Sequence, residues 1–217
     1  MSCHLDFYID DLVLDKMRQG SEYACKIYEA RRTEVVLGRS AKIEEDVVEE
    51  NCTADSVPIS RRRGGGGTVV LSPGTVIISI AGLSNLQYHL REHMNAVNRT
   101  IIATLEQLGV DCPVIQGISD IALGNKKILG SSLYRRKDLV LYQGSLLVSS
   151  DLTLMNRYLK LPRKQPEYRG GRRHEAFVTS LHNEGYNISA AEIIESLQKE
   201  FALNPPWPPV PPEHVHV

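Results

Sequence analysis

The chain lacks the marks of a secreted, membrane-spanning or polyanion-binding protein. Its four cysteines, Cys3, Cys25, Cys52 and Cys112, form no CxxC pair and stand far apart, and no basic stretch followed by an apolar run opens the N-terminus. This reads as a reduced, cytoplasmic protein. No apolar run approaches the length that crosses a bilayer, and no internal repeat is visible. An excess of one charge is missing too. With 25 basic and 26 acidic residues the formal net charge is -1, so neither nucleic acid nor a membrane is expected as a partner, and any anion site must be local. The two basic stretches that offer one are Arg61-Arg62-Arg63 and residues 163–173.

What is present is a core-forming chain of 217 residues, 42% hydrophobic, without a break in composition that would separate two equal domains. The expected organisation is one domain over residues 1–203 and a Pro-rich tail over residues 204–217 that either packs as an extended arm or stays mobile. His214 and His216 in that tail receive no function.

The most informative stretch is Arg61-Arg62-Arg63-Gly64-Gly65-Gly66-Gly67-Thr68-Val69-Val70. Consecutive glycines let backbone N–H groups approach a phosphate where a Cβ would collide, and the arginines supply fixed charge and forked donors. A P-loop would continue into a helix and end in Gly-Lys-Ser/Thr, and a dinucleotide fingerprint would open a helix after a strand; neither occurs. Instead Thr68-Val69-Val70 and residues 75–80 read as two strands joined across Ser72-Pro73-Gly74. The competing reading, a flexible glycine linker with solvated arginines, fits poorly between strand-like apolar segments.

Elsewhere, residues 5–18 space Leu5, Ile9, Leu12 and Met17 at helical intervals, residues 25–29 and 33–39 read as strands, and residues 43–50 as a short charged helix. Leu86, Leu90, Met94, Val97, Ile101, Leu105 and Leu108 predict a helix over 85–108 with one stripe to the core, stopped by Gly109. His89 and His93 on it have metal-ligand spacing but no further His or Cys at ligand distance, and read as a pair at the helix's surface edge. Strands follow at residues 118–123, 127–133 and 139–148, a short helix capped by Asp151 through Leu159, and a helix opened by the capping box Ser189-Ala190-Ala191-Glu192 through Phe201. With no strict strand–helix alternation, the fold class is α/β (α+β), a single domain with a mixed, largely antiparallel sheet flanked by helices.

The second informative stretch runs from Gly117 to Ser132, a strand, a turn at Gly124-Asn125 and a returning strand. On such a hairpin Asp120 and Lys127 can share a pocket, the carboxylate holding a divalent ion and the ammonium a phosphate or carbonyl oxygen; alone, such a pair is a solvated surface pair.

Together these elements resemble the lipoate-protein ligase and octanoyl transferase family, and more remotely the biotin-protein ligases. Arg61, Arg62, Gly65, Gly66, Gly67, Val69 and Gly74 match its glycine signature, Ser119-Asp120 and Lys127-Ile128-Leu129-Gly130-Ser131-Ser132 its second, and Tyr142-Gln143-Gly144-Ser145-Leu146-Leu147 its third. Asp151-Leu152 and Phe177-Val178-Thr179-Ser180-Leu181 follow in family order, so the resemblance spans residues 33–185. The departures are Leu71-Ser72 for the family's His-Asp, Gln143 for a histidine and Gly64 for a serine.

The resemblance implies a biotin/lipoate ligase (class II synthetase-like) fold and an ATP-dependent ligase that turns lipoate or octanoate into acyl-AMP, then passes the acyl group to a lysine of a lipoyl-acceptor protein or domain. It implies Lys127 as the catalytic residue, Asp120 for Mg²⁺, and Arg62, Gly65, Gly66, Gly67, Thr68, Val69, Val70, Gln143, Gly144 and Ser145 around ATP and lipoate, with Val69, Ile77 and Leu146 lining the acyl slot. The loop over residues 163–173 would close over the adenylate or meet an acidic acceptor. The length leaves no room for the family's C-terminal accessory domain, which would be a separate subunit or dispensed with. Two alternatives stay open: an ATP-independent acyl transferase using Cys112, and a non-catalytic lipoyl-binding module.

Overall fold

The computed structural model describes residues 11–84 and 90–207. Among the described residues, nine strands make two sheets. The larger contains β1 (Tyr23–Glu29), β5 (Thr75–Leu83), β6 (Pro113–Gln116), β7 (Asp120–Leu123), β8 (Lys126–Arg136) and β9 (Leu139–Leu147) in the order β1-β5-β9-β8-β7-β6, every neighbour antiparallel. The smaller contains β2 (Glu34–Leu37), β3 (Ile59–Arg61) and β4 (Val69–Leu71) in the order β3-β2-β4, with β2 and β3 parallel. The mixed, largely antiparallel sheet expected from the sequence is present. The expected pair of strands around Ser72-Pro73-Gly74 is also present, but the turn passes the chain from the small sheet to the large one, so β4 and β5 never pair.

One face of the large sheet carries the main core. Val76, Ile78 and Ile80 of β5, Val140, Tyr142 and Leu146 of β9 and Leu129 of β8 meet Val97, Ile101 and Leu105 of α4 (Leu90–Gln107) and Ile193, Leu197 and Phe201 of α7 (Ala190–Leu203). The side-chain period of two sends Ile77, Ser79 and Ala81, and Leu141, Gln143, Ser145 and Leu147, to the other face. There α1 (Asp11–Arg18) covers one end with Val13 and Leu14 over Ala81 and Leu141, and the small sheet covers Ile77 with Val36 and Leu71. The candidate site lies between these two covers.

Several local expectations are corrected. In α1 the buried positions are Val13 and Leu14 while Leu12 is half exposed; residues 5–10 of that helix expectation lie outside the described residues, as do residues 85–89 of the later one, including His89. Leu90 is exposed at the start of α4. Residues 43–50 split into α2 (Ile43–Asp46) and α3 (Glu49–Ala54), because Val47 leaves the helix to bridge Leu159 and bury its side chain. His93 is buried, hydrogen-bonded to Ser84 and tilted against the Trp207 ring at 5.8 Å, so the surface-edge reading fails for it. Trp207 packs over Gly82, where a Cβ would stand 2.7 Å from the indole, so the proline-rich segment is packed at least to that residue. The capping box at Ser189 and Glu192 is present.

Ile101 is fully buried at the centre of this core. Ile101→Ala is expected to cost about 2–5 kcal/mol of unfolding free energy, read as a lower urea midpoint at unchanged slope.

Candidate active site

The site depends on an irregularity in one ladder. Between β7 and β8, Ile121 faces Leu129 but the next residue, Ala122, faces Lys127, leaving Ile128 as an extra residue on β8. Counted by simple alternation from the buried Leu129, Lys127 would point into the core. The bulge lets Ile128 and Leu129 both turn inward, each fully buried, and puts Lys127 on the open face with Asp120 and Ala122. There its Nζ lies 2.7 Å from Asp120 Oδ1, the two side chains 25% and 15% exposed, so the pair is sheltered but reachable. Gly130 makes the room: a Cβ there would stand 2.7 Å from Lys127 Nζ.

Asp120 is held from several directions. The carbonyl of the preceding Ser119 accepts hydrogen bonds from Asn98 Nδ2 of α4 and from Ser131 Oγ of β8, each 2.9 Å, and Tyr142 Oη donates to Asn98 Oδ1 at 2.7 Å. Burial drives the Tyr142 phenol well above its ordinary pKa, so it remains a donor. Tyr168 Oη donates to Asp120 Oδ2 at 2.8 Å. Asn98 and Tyr168 were not singled out from sequence; Tyr168 is 48 positions from Asp120 in a basic loop, with no local signal for the contact.

The glycine loop lies against the same face. A Cβ on Gly64 would stand 2.5 Å from Ser132 Oγ, and Gly66 has φ +88°. Gly65 and Gly67 border open space. Arg62 is buried, its Nη2 donating to Gly65 O and Gly67 O at 2.7 Å each, its Nε to Ser132 Oγ at 3.2 Å and its Nη1 to Val36 O at 3.3 Å. Arg61 likewise donates to the carbonyls of Gly38, Arg39 and Ala41. The guanidinium expected to meet phosphate is therefore turned onto the loop it precedes, shaping it.

The remaining expected binding residues divide. Gln143 stands in a buried polar row with Ser79 and Ser132 across three strands, and Ser145 faces Gly130 beside Lys127. Among the described residues the buried Ser79 hydroxyl finds no hydrogen-bond partner. Gly144 is on the core face, where the Tyr142 hydroxyl would stand 2.9 Å from a Cβ. Thr68 Oγ1 donates to Asp46 Oδ2 at 2.6 Å and Val70 packs inside the small sheet, so these two anchor the loop. Val69 and Ile77 pack together, but Leu146 is in the core behind the sheet and cannot line the same slot.

Residues 163–173, read from sequence as a closing loop, are already fastened. Arg172 donates to the carbonyls of Asn125, Tyr168, Arg169 and Ala176, and Arg169 and Arg172 stack over Phe177 of α6 (His174–Phe177) at 4.7 and 5.3 Å. Beside them, burial and then the charge of Arg169 push His174 down to about 4. With an unfolded value near 6.5, its neutral form stabilises the fold fully above pH 6.5, and that contribution is lost as pH falls through 6.5 towards 4. The unfolding free energy from urea titrations is expected to drop across this window by on the order of 2 kcal/mol more than that of His174→Gln.

No group of three or more His, Cys, Asp or Glu side chains that could hold a metal is found among the described residues, and no described helix is long and apolar enough to cross a membrane. Cys112 is exposed and precedes β6 at the end where Pro113 faces Leu123, whereas Asp120 faces Gln116, so about 10 Å or more of hairpin separates them. Burial raises the thiols of Cys25, to about 11, and of Cys52.

A family model described as the lipoyl protein ligase A/B catalytic domain matches residues 3–202. A probable lipoate-protein ligase A of Mycoplasma pneumoniae is 24% identical over 193 residues, 89% of this chain and 56% of that protein. The chain spans about half the length of the curated relatives it matches. Among solved structures, a lipoate-protein ligase A bound with ATP superposes with a TM-score of 0.76 at 22% identity, covering 92% of this chain and 79% of that one. A bipartite lipoate protein ligase with its E2 lipoyl domain from Thermoplasma acidophilum gives 0.71 at 23%, covering 85% and 71%. The fold expected from the resemblance is thus the fold observed.

Proposed function

The chain belongs to the lipoyl protein ligase A/B catalytic domain family, and on that premise we propose that it is an ATP-dependent lipoate-protein ligase. The observation that carries the reading is the Asp120–Lys127 pair, turned by a bulge onto the sheet face that the glycine loop also borders. In the first half-reaction a lipoate carboxylate oxygen bonds to the α-phosphorus of ATP as the bond to pyrophosphate breaks. In the second, the ε-amine of an acceptor lysine bonds to the acyl carbon, sheds a proton, and AMP leaves. Negative charge gathers on phosphate and then carbonyl oxygens in both, and the Lys127 ammonium is the fixed positive charge beside them. The open backbone at Gly65 and Gly67 suits close passage of the nucleotide, and Val69 with Ile77 the apolar tail.

Mg²⁺ takes few protein ligands and keeps waters and substrate phosphates, so one carboxylate suffices, and Asp120 would hold it. When bound it would neutralise phosphate charge during adenylate formation. The name of the Mycoplasma relative and the ATP-bound and lipoyl-domain-bearing relatives support ATP, lipoate and a lipoyl-domain acceptor as its ligands, and the bipartite ligase supports a separate accessory subunit. The position of Cys112 disfavours transfer through a thioester.

Incubation with ATP, Mg²⁺, lipoate and lipoyl-domain acceptors, with and without a ligase accessory subunit, is expected to release pyrophosphate and add a lipoyl mass to an acceptor. Acyl transfer from octanoyl carrier protein without ATP, abolished by Cys112→Ser, would instead establish the transferase. Tight lipoate binding with neither turnover would establish a binding module.

A further inference from the structure

We infer that Tyr168 is a positioning residue that fixes the orientation of Asp120 and, through it, the place of the Lys127 ammonium; the catalytic consequence rests on the ligase reading. The carboxylate is held at both oxygens, Oδ1 by Lys127 Nζ at 2.7 Å and Oδ2 by Tyr168 Oη at 2.8 Å. A carboxylate held at one oxygen can rotate about its Cβ–Cγ bond and offer either oxygen to the ammonium. With the second oxygen occupied, Lys127 has one place to sit. The phenol also keeps a donor on Asp120 when Lys127 reaches for a substrate oxygen, so the half-buried carboxylate does not lose its last partner.

Several features fit a positioning role better than incidental contact. The Tyr168 hydroxyl is a neutral donor set against a carboxylate oxygen that can only accept. Its ring has a prepared seat. A Cβ on Gly117 would stand 3.2 Å from Tyr168 Cε1, and the Phe177 ring is 5.0 Å away, itself flanked by Arg169 and Arg172. Behind it Gly170 and Gly171 take positive φ, +56° and +74°, and Arg172 ties the turn to Asn125 at the tip of the hairpin that carries Lys127. The loop and the hairpin are thereby one unit.

Tyr168→Phe removes the hydroxyl and keeps the ring, so the melting temperature is expected to change little. The direct readout is the ¹⁵N resonance of the Lys127 ammonium, assigned by its loss in Lys127→Ala. It is expected to be sharp in the parent protein and to broaden or shift in Tyr168→Phe. Turnover is the second readout: kcat falls about 10-fold or more while the KM values for ATP and lipoate move less than about 3-fold. In an Asp120→Asn background the further loss from Tyr168→Phe shrinks to less than about 2-fold. An unchanged Lys127 resonance, or an equal loss in both backgrounds, would overturn the inference. A changed resonance in a parent protein that shows no ATP- and lipoate-dependent turnover would overturn the ligase reading and leave the positioning role standing.

Discussion

Lys127→Ala is expected to lower the proposed lipoate-dependent pyrophosphate release by about 10²–10³-fold, the cost of losing one preorganised charge aimed at a developing oxyanion. The fold should survive. Lys127 is on the open face, a quarter exposed, and Asp120 keeps the Tyr168 hydrogen bond, so the variant is expected to melt within a few degrees of the parent. Lys127→Arg is expected to recover little. The pocket above Gly130 fits a compact ammonium lying flat against the strand, and a planar guanidinium spreads its charge over a wider fork that meets Asp120 and the sheet differently. Steady-state kinetics of both variants beside thermal melts separate lost chemistry from lost fold. Near-parent turnover in Lys127→Ala would remove this residue from the mechanism.

Arg62→Ala is expected to act in the opposite order, on the fold first and on substrate second. Its guanidinium joins Gly65, Gly67, Ser132 and Val36, tying the glycine loop to both sheets. Bonds to a charged donor contribute about 1.5–3 kcal/mol each and are not additive, and the freed carbonyls lie partly out of water, so a loss of about 3–4 kcal/mol in unfolding free energy is expected. In the cold, where the variant still folds, the KM for ATP should rise about 10-fold because the loop is no longer preshaped. Arg62→Lys should be nearly as unstable, since one ammonium cannot reach all these acceptors from one position. If Arg62 served only as a phosphate contact, both variants would bind ATP weakly and melt like the parent. Urea midpoints and ATP titrations on the two variants decide between these outcomes.

Much of the fold was legible because its elements are strongly patterned. The stripe from Met94 to Leu105 specifies α4 and its inward face, and the Ser189–Glu192 box specifies where α7 begins. The β3 and β6 strands were missed because three or four residues, one set led by Pro113, carry too little alternation to show. That β4 and β5 belong to different sheets is likewise invisible locally, since a Pro-Gly turn between apolar runs looks the same whether the strands pair or part. At the site, Asp120 and Lys127 were legible as a hairpin pair. The bulge at Ile128 was not, because Ile128-Leu129 is an ordinary apolar dipeptide whose double inward turn is decided by tertiary packing. The contacts of Arg62 were illegible for a related reason: an arginine before glycines looks the same whether it faces a phosphate or the loop's own carbonyls, and its bonds to the Gly65 and Gly67 carbonyls are set by the folded loop.

Acyl-adenylate formation is the central claim, and exchange of labelled pyrophosphate into ATP without any acceptor tests it most directly. The account predicts exchange that requires lipoate or octanoate together with Mg²⁺, with or without an added accessory subunit, and that disappears in Lys127→Ala. Absence of exchange from the folded, lipoate-binding protein in every combination, or exchange that persists in Lys127→Ala, would contradict it.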